Sequence, residues 1–258
     1  MKKILLILTS IAVICAAVWY FSKGQCHADL SPEVKSVELC HMDSTRQGDP
    51  QMEAEISVYR DSLDHVMKVK LCDNGETMIA RRPESALSRF LADVILFEIR
   101  RMAVADSMPT PDFSLINLGG IRSFLPAGPV FIEDVFCIAP FENSPVVLCL
   151  DSADVMAMMD HIATRGGEGI AGASMTIANK KAKDVKIGGM PLQGGRVYRL
   201  ATLDYLANGG DGFSCLVGKQ EYESGMPFRD TFINYLKTIG DSNVVLCAPV
   251  DNRITVEK

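Results

Sequence analysis

The hydrophobic positions change period several times along the chain, and each change marks an element. Behind Lys2 and Lys3 an apolar run extends from Ile4 to Phe21, broken only by Thr9 and Ser10. A short basic start followed by such a run is an export signal, and its 18 residues reach the length at which a helix can span a bilayer. Because a cleaved signal normally has a shorter apolar core, signal peptide and retained membrane anchor are left level over residues 1–21. Ala17 and Ala28 are the candidate cleavage points if the segment is removed, and a lipid on Cys15 ranks third because Ile14 is bulky for such a site. All three readings place the folded part outside the cytoplasm, in the periplasm or anchored and facing away from it. Residues 22–50 are polar and irregular and read as a tether, which leaves 51–258 as the folded domain.

Within that domain, residues 53–69 predict a helix with Ile56, Tyr59, Leu63 and Val66 on one face. Leu87, Leu91, Val94, Ile95 and Ile99 form an apolar stripe from Glu84 to about Ala105, behind Pro83, and Pro109 and Pro111 close that helix. The period then shortens. Phe113–Asn117, Val130–Ile132, Pro145–Leu150, Met175–Ala178, Val185–Ile187, Val197–Thr202 and Val244–Leu246 read as strands. Ser152 caps a helix carrying Val155, Met158, Met159 and Ile162. Another helix follows Pro227 with Phe228, Phe232, Tyr235, Leu236 and Ile239 on its face. Strands and helices mix irregularly, which predicts an α+β fold: a mixed β-sheet with helices packed on it, preceded by an N-terminal hydrophobic helix.

Composition and charge narrow the functions. The 258 residues are 48% hydrophobic and 22% charged, as a globular protein is, and the net charge of −6 makes nucleic acid a poor partner. None of the eight cysteines falls in a Cys-x-x-Cys pair, which argues against a zinc knuckle or redox motif. Cys137, Cys149 and Cys247 lie in apolar runs and read as small core residues, while Cys26–Cys40 is the first pair to test for a disulfide. His27, His41, His65 and His161 have no ligand spacing, and no G-x-S-x-G elbow is present. Residues 167–172 match G-x-G-x-x-G, but a helix precedes and a strand follows, the reverse of a dinucleotide site.

Three short stretches carry the candidate chemistry. Asn117 and Arg122 flank the Gly119-Gly120 turn, where a ligand can approach the backbone. Phe141 and Asn143 follow Pro140, and Gly210-Asp211-Gly212 forms a tight turn that is expected to thrust Phe213 out of the fold. Together they supply two aromatic faces for a flat ring, with an arginine and asparagines for hydroxyls and an anionic end. Taken singly, each has a plain alternative: a surface arginine on an ordinary turn, or a core phenylalanine.

Their order along the chain resembles the C-terminal domain of the 5′-nucleotidase / UDP-sugar hydrolase family, from about Val34 to Leu216. Glu84 to Asp93 resembles E-T-N-L-G-N-L-I-A-D, Asn117 to Arg122 resembles N-x-G-G-I-R, and Pro140 to Asn143 resembles P-F-G-N. Tyr198 to Phe213 resembles Y-x-V-A-T-N-D-Y-L-A-x-G-G-D-G-F. The resemblance implies an α+β domain that binds the nucleoside part of a substrate. Phe141 and Phe213 would sandwich the base, Asn117 and Arg122 would hold the ribose or phosphate end, Asn143 would add polar contacts, and Arg82 matches another arginine of the substrate site. Arg89 stands where the family has asparagine or another residue. The family also places an acid on the ribose a few residues after the second stacking ring; Ser214 to Lys219 holds none, and Glu221 is the nearest.

The family's N-terminal metallophosphoesterase domain, with its G-N-H-D signature, has no counterpart in these residues. A two-metal phosphatase needs both ions, so the chain is expected to hold no cofactor itself and to hydrolyse nothing alone. The expected arrangement is one half of a split extracytoplasmic 5′-nucleotidase. Its partners would be a nucleoside or nucleotide and a separate metallophosphoesterase subunit that carries the divalent metals, with the membrane as a further contact if the first segment is uncleaved. A stand-alone nucleotide-binding module and a degenerate structural domain are the alternatives.

Overall fold

Strands Phe113–Ile116 (β2) and Tyr198–Leu203 (β9) run parallel at the heart of the molecule, and their alternating side chains divide the interior in two. Phe113, Leu115, Tyr198 and Leu200 point to one face; Ile116, Ala201 and Leu203 point to the other. Both faces are covered, which is why these strands read as continuous apolar runs. The computed structural model describes residues 48–108, 110–248 and 251–257, without the side chain of Glu221. The N-terminal apolar run, most of the 22–50 stretch and the Cys26–Cys40 pair lie outside the described residues, as does the Glu221 carboxylate.

Further elements in chain order are α1 (Pro50–Met67), β1 (Lys70–Asn74), α2 (Ala86–Ala105), β3 (Gly128–Phe131), α3 (Ile132–Ile138), β4 (Pro145–Leu150), α4 (Ser152–Arg165), β5 (Gly169–Ala171), β6 (Ala173–Ala178), β7 (Lys181–Ile187), β8 (Met190–Pro191), α5 (Asp204–Ala207), β10 (Gln220–Glu223), α6 (Phe228–Asp241), β11 (Val245–Leu246) and β12 (Ile254–Val256). They form three sheets, not one: β11-β1-β3, β10-β4-β9-β2-β5 and β12-β6-β7-β8. Each is mixed, holding one parallel pairing among antiparallel ones. Helices α2 and α6 pack with one core and α4 with the other, so the central sheet lies between helical layers. Gln51–Lys258 forms one compact unit. Among the described residues no helix is long and apolar enough to cross a membrane.

Local chemistry fixes the helix ends. Ser85 caps α2: its Oγ accepts the Ser88 N–H at 3.4 Å while Ser88 Oγ accepts the Ser85 N–H at 2.9 Å. Glu84, expected as the first helical residue, stands outside the cap. Its Oε1 accepts the Arg253 N–H at 2.9 Å, and the Arg253 guanidinium donates to Asp93 Oδ2 at 2.8 Å. Both acidic ends of the Glu84–Asp93 motif thus hold one arginine from the C-terminal segment. At α4 the cap is Asp151 and not Ser152. Asp151 and Asp154 exchange bonds at 2.8 and 3.2 Å, and the carboxylate is the stronger acceptor at a helix start.

One expectation is met in an unexpected setting and two are corrected. Helix α1 forms, but none of its residues is buried, and Ile56, Tyr59, Leu63 and Val66 are all exposed. Periodicity gives an apolar stripe without the surface that would cover it. Ile132 begins α3 and does not end a strand, since Asp134 Oδ2 captures the Phe131 N–H at 2.8 Å. Cys137 and Cys247 are exposed and Cys149 half-buried; among the described residues the buried thiol is Cys72, which burial pushes up to about 11.

Candidate functional site: a cleft at the strand ends

The topology brings the three motif stretches together. Parallel β2 and β9 end at the same edge of the sheet, so the turn after Ile116 and the turn after Leu203 meet there. Strand β4 runs against β9 with Pro145 opposite Leu203, which sets the Pro140–Asn143 turn at that edge as well. Crevices outside the carboxyl ends of parallel strands are where such sheets bind ligands. Here a cleft of about 220 Å³ is lined by Asn117, Gly119, Gly120, Phe141, Asn143, Tyr205 and Asp211.

Asn117 is 3% exposed. Its Nδ2 donates to Asp211 Oδ2 at 2.7 Å, and among the described residues its Oδ1 accepts nothing. A Cβ on Gly120 would stand 3.0 Å from that Oδ1, so the second glycine of the turn makes room for the carboxamide. Asn143 is half-buried in the wall, and its carbonyl accepts the Phe228 N–H at 2.8 Å. Arg229, next along α6, donates to the Pro140 carbonyl at 3.3 Å and lies 4.3 Å over the Phe136 ring, so α6 grips the Phe141 turn.

The two aromatic walls are Phe141 and Tyr205, 48% and 43% exposed. Phe213 is not one of them. It is fully buried, with its ring edge-on to His161 at 4.5 Å between centroids. The physical reason lies in the turn: Gly209, Asp211 and Gly212 all adopt positive φ (86°, 53° and 82°), and the last of these returns the chain to the α4 core before Phe213 is reached. The turn itself was legible; the direction of its exit was not. Tyr205 escapes sequence reasoning because it sits inside the short helix α5, just after Asp204, with no turn residue beside it to mark it. A signal was present in Gly210, whose added Cβ would meet Tyr205 Cε1 at 2.5 Å. The glycine is there to let the ring lie down.

Asp211, a turn residue by sequence, belongs to the cleft. Its Oδ1 accepts the Tyr205 hydroxyl at 3.2 Å, and the Tyr205 oxygen accepts the Asp211 N–H at 3.2 Å. It follows Tyr205 by six positions and is the acidic residue in the cleft lining.

Arg122 is exposed at the mouth of the turn, with Nη1 3.5 Å from the Gly119 carbonyl, and is outside the lining. Arg82 lies behind the cleft, donating to Glu168 Oε1 at 2.6 Å and to the Arg165 carbonyl at 2.7 Å. Glu168 is fully buried and also accepts the Leu118 N–H at 2.6 Å and Arg165 Nε at 2.7 Å. Burial opposes the Arg165 charge, but the hydrogen bond and charge of Glu168, then the Asp211 charge, outweigh it and hold the guanidinium above its ordinary range. The G-x-G-x-x-G stretch is packing. Added Cβ atoms at Gly167, Gly169 and Gly172 would stand 2.0, 2.5 and 2.7 Å from the carbonyl oxygens of Pro83, Ser88 and Asp112.

The chain is an α+β domain with an aromatic-walled cleft at the ends of parallel strands, the kind of place where such folds hold small ligands. The model of the 5′-nucleotidase C-terminal domain matches residues 66–218, and the chain belongs to that family. It is 30% identical over 174 residues to a 5′-nucleotidase of Vibrio vulnificus strain CMCP6, covering 64% of this chain and 30% of the relative. With protein UshA of Escherichia coli K12 the identity is 31% over 116 residues, covering 43% of this chain and 21% of the relative. The chain thus spans less than a third of the length of either of these relatives. The fold is similar to that of a 5′-nucleotidase precursor from Thermus thermophilus, with a TM-score of 0.68 and 23% identity over 79% of this chain and 42% of the other.

Proposed function

We propose that the chain is the nucleoside- or nucleotide-binding half of an extracytoplasmic 5′-nucleotidase whose metal-bearing phosphoesterase half is a separate polypeptide. One observation carries the reading: the family's motif stretches converge on a single cleft with Phe141 and Tyr205 as its walls and the Asn117–Asp211 pair between them. In this reading the rings stack the base. Stacking on an aromatic side chain contributes about 1–3 kcal/mol per base. The unpartnered Asn117 Oδ1 accepts a ligand N–H or O–H, Asp211 accepts from the sugar hydroxyls, Asn143 adds a polar contact, and Arg122 at the rim meets the anionic end. At about 220 Å³ the cleft is below the roughly 300–1,000 Å³ of complete small-molecule sites, which suits a half-site closed by another surface.

Hydrolysis of the phosphate ester belongs to the partner. This chain's part is to bind and orient the nucleoside so that its phosphate projects toward the metal subunit. Export by the first 21 residues would place this chain outside the cytoplasm.

The test is calorimetric titration of the full chain with adenosine and AMP, followed by a phosphate-release assay with and without a two-metal phosphoesterase lacking its own C-terminal domain. Binding to the chain alone, with AMP hydrolysis only in the mixture, is expected. Binding without any gain in hydrolysis would leave a stand-alone binding module, and no heat with any nucleoside or nucleotide would overturn the reading.

A further inference from the structure

We infer that Glu168, which does not touch the cleft, is a positioning residue that sets the cleft's preference for a sugar-bearing ligand over a free base. The inference rests on the nucleoside reading above. Glu168 sits where three segments of the site cross. Its Oε2 holds the N–H of Leu118, the first residue after Asn117. Its Oε1 takes both Arg82 Nη2 and Arg165 Nε. Arg165 then commits its remaining nitrogens to the third segment: Nη1 donates to the Asp211 carbonyl at 3.1 Å, and Nη2 to Asp211 Oδ2 at 3.1 Å.

A guanidinium is a planar fork. With its Nε edge on Glu168, only the Nη pair of Arg165 is free for Asp211, and that fixes which carboxylate oxygen is engaged. Oδ2 is shared by Arg165 and Asn117, while Oδ1 is left with the Tyr205 hydroxyl at the cleft. Oδ1 is therefore the oxygen available to a ligand hydroxyl. The four charges of Arg82, Arg165, Glu168 and Asp211 cancel, so Asp211 can accept a hydrogen bond without a net field drawing it back into the protein.

Glutamine at 168 breaks this arrangement in a defined way. It has one acceptor oxygen where three donors converge, and its amide adds donors. Arg165 loses its anchor and turns its full fork onto Asp211, drawing Oδ1 off Tyr205 and away from the ligand. Phe141 lies on another segment, and Tyr205 keeps the bond from the Asp211 N–H to its hydroxyl oxygen and its seat against Gly210, so both base-stacking rings keep their places. The predicted defect is thus selective: contacts to the sugar are lost and contacts to the base are kept. A carboxylate that only held the fold together would weaken every ligand alike.

The measurement is calorimetric affinity for adenosine and for adenine in the full-length wild type and in Glu168→Gln, Asp211→Asn and the double variant. The wild type is expected to prefer adenosine. Glu168→Gln should lose tenfold or more for adenosine and less than twofold for adenine, and the double variant should be no weaker for adenosine than Asp211→Asn alone. Should Glu168→Gln fail to fold, Arg165→Lys, which keeps the charge but removes the fork, should give the same selective loss. Equal losses for both ligands, or additive effects in the double variant, would overturn the inference while leaving the nucleoside site standing. A wild type that binds neither ligand would remove the reading on which it rests.

Discussion

The Asn117 carboxamide donates to Asp211 Oδ2 at 2.7 Å, bridging two glycine turns 94 residues apart in the chain. The bond is possible because β2 and β9 run parallel and end level. It converts two ordinary turns into one wall of a cleft and leaves Asn117 Oδ1 as an unpartnered acceptor beside it.

Tyr205 and Phe213 should separate cleanly on mutation. Tyr205→Ala, like Phe141→Ala, is expected to cut nucleoside affinity tenfold or more, with an unchanged thermal midpoint within a few degrees, since both rings are about half exposed. Phe213→Ala empties a fully buried site and should cost about 3–5 kcal/mol of stability. Denaturant titration beside calorimetry distinguishes them; a stable Phe213→Ala protein that has lost binding would restore Phe213 as the stacking ring.

Gly210 does not need a positive φ, so the cost of replacing it is steric. A Cβ there meets the Tyr205 ring and its carbonyl oxygen at 2.5 Å. Gly210→Ala is expected to push the ring aside and weaken ligand binding by about the loss seen for Tyr205→Ala, while Gly188→Ala, whose Cβ meets nothing within 4 Å, leaves binding as it was. Fluorescence or calorimetric titration of the two alanine variants checks the contrast.

Arg253 ties the C-terminal segment to α2 through Asp93 and to the sheet through the Ile170 carbonyl at 2.8 Å. Arg253→Ala strands these partners and should destabilise the domain by about 3–5 kcal/mol. The same arginine gives the stability a pH dependence. Its hydrogen bond, against opposition from burial, holds Asp251 below the usual carboxylate value. A depressed acid stabilises the fold fully above its unfolded value of about 3.9, and that contribution disappears as pH falls toward the folded value. Asp251→Asn should therefore lower stability at pH 6 and flatten the decline below pH 4, read from urea midpoints across that range.

Thiol labelling reports the corrected cysteine placement. Cys137 and Cys247 are exposed and should react with a maleimide within minutes at pH 7.5, while Cys72, buried and raised to about 11, should stay unlabelled until the protein is unfolded. Peptide mapping after timed quenching gives the order; early labelling of Cys72 would contradict its burial.

Much of this protein is written locally. The stripe of Leu87, Leu91, Val94, Ile95 and Ile99 makes α2 in any context that offers an apolar surface, and Pro227 starts α6, because both depend on neighbours within a few residues. The glycine turn at 209–212 is equally local, since Gly209 and Gly212 take left-handed backbone angles that glycine adopts readily. Pairing order and direction are not. That β2 lies beside β9, that Pro145 faces Leu203, and that Gly212 sends Phe213 inward while Tyr205 lies over Gly210 depend on contacts between residues far apart in the chain. The exposed stripe of α1 shows the other side of that limit. A sequence fixes which face of a helix is apolar, but only the packed structure decides whether anything covers it, because burial belongs to the assembled surfaces and not to the period.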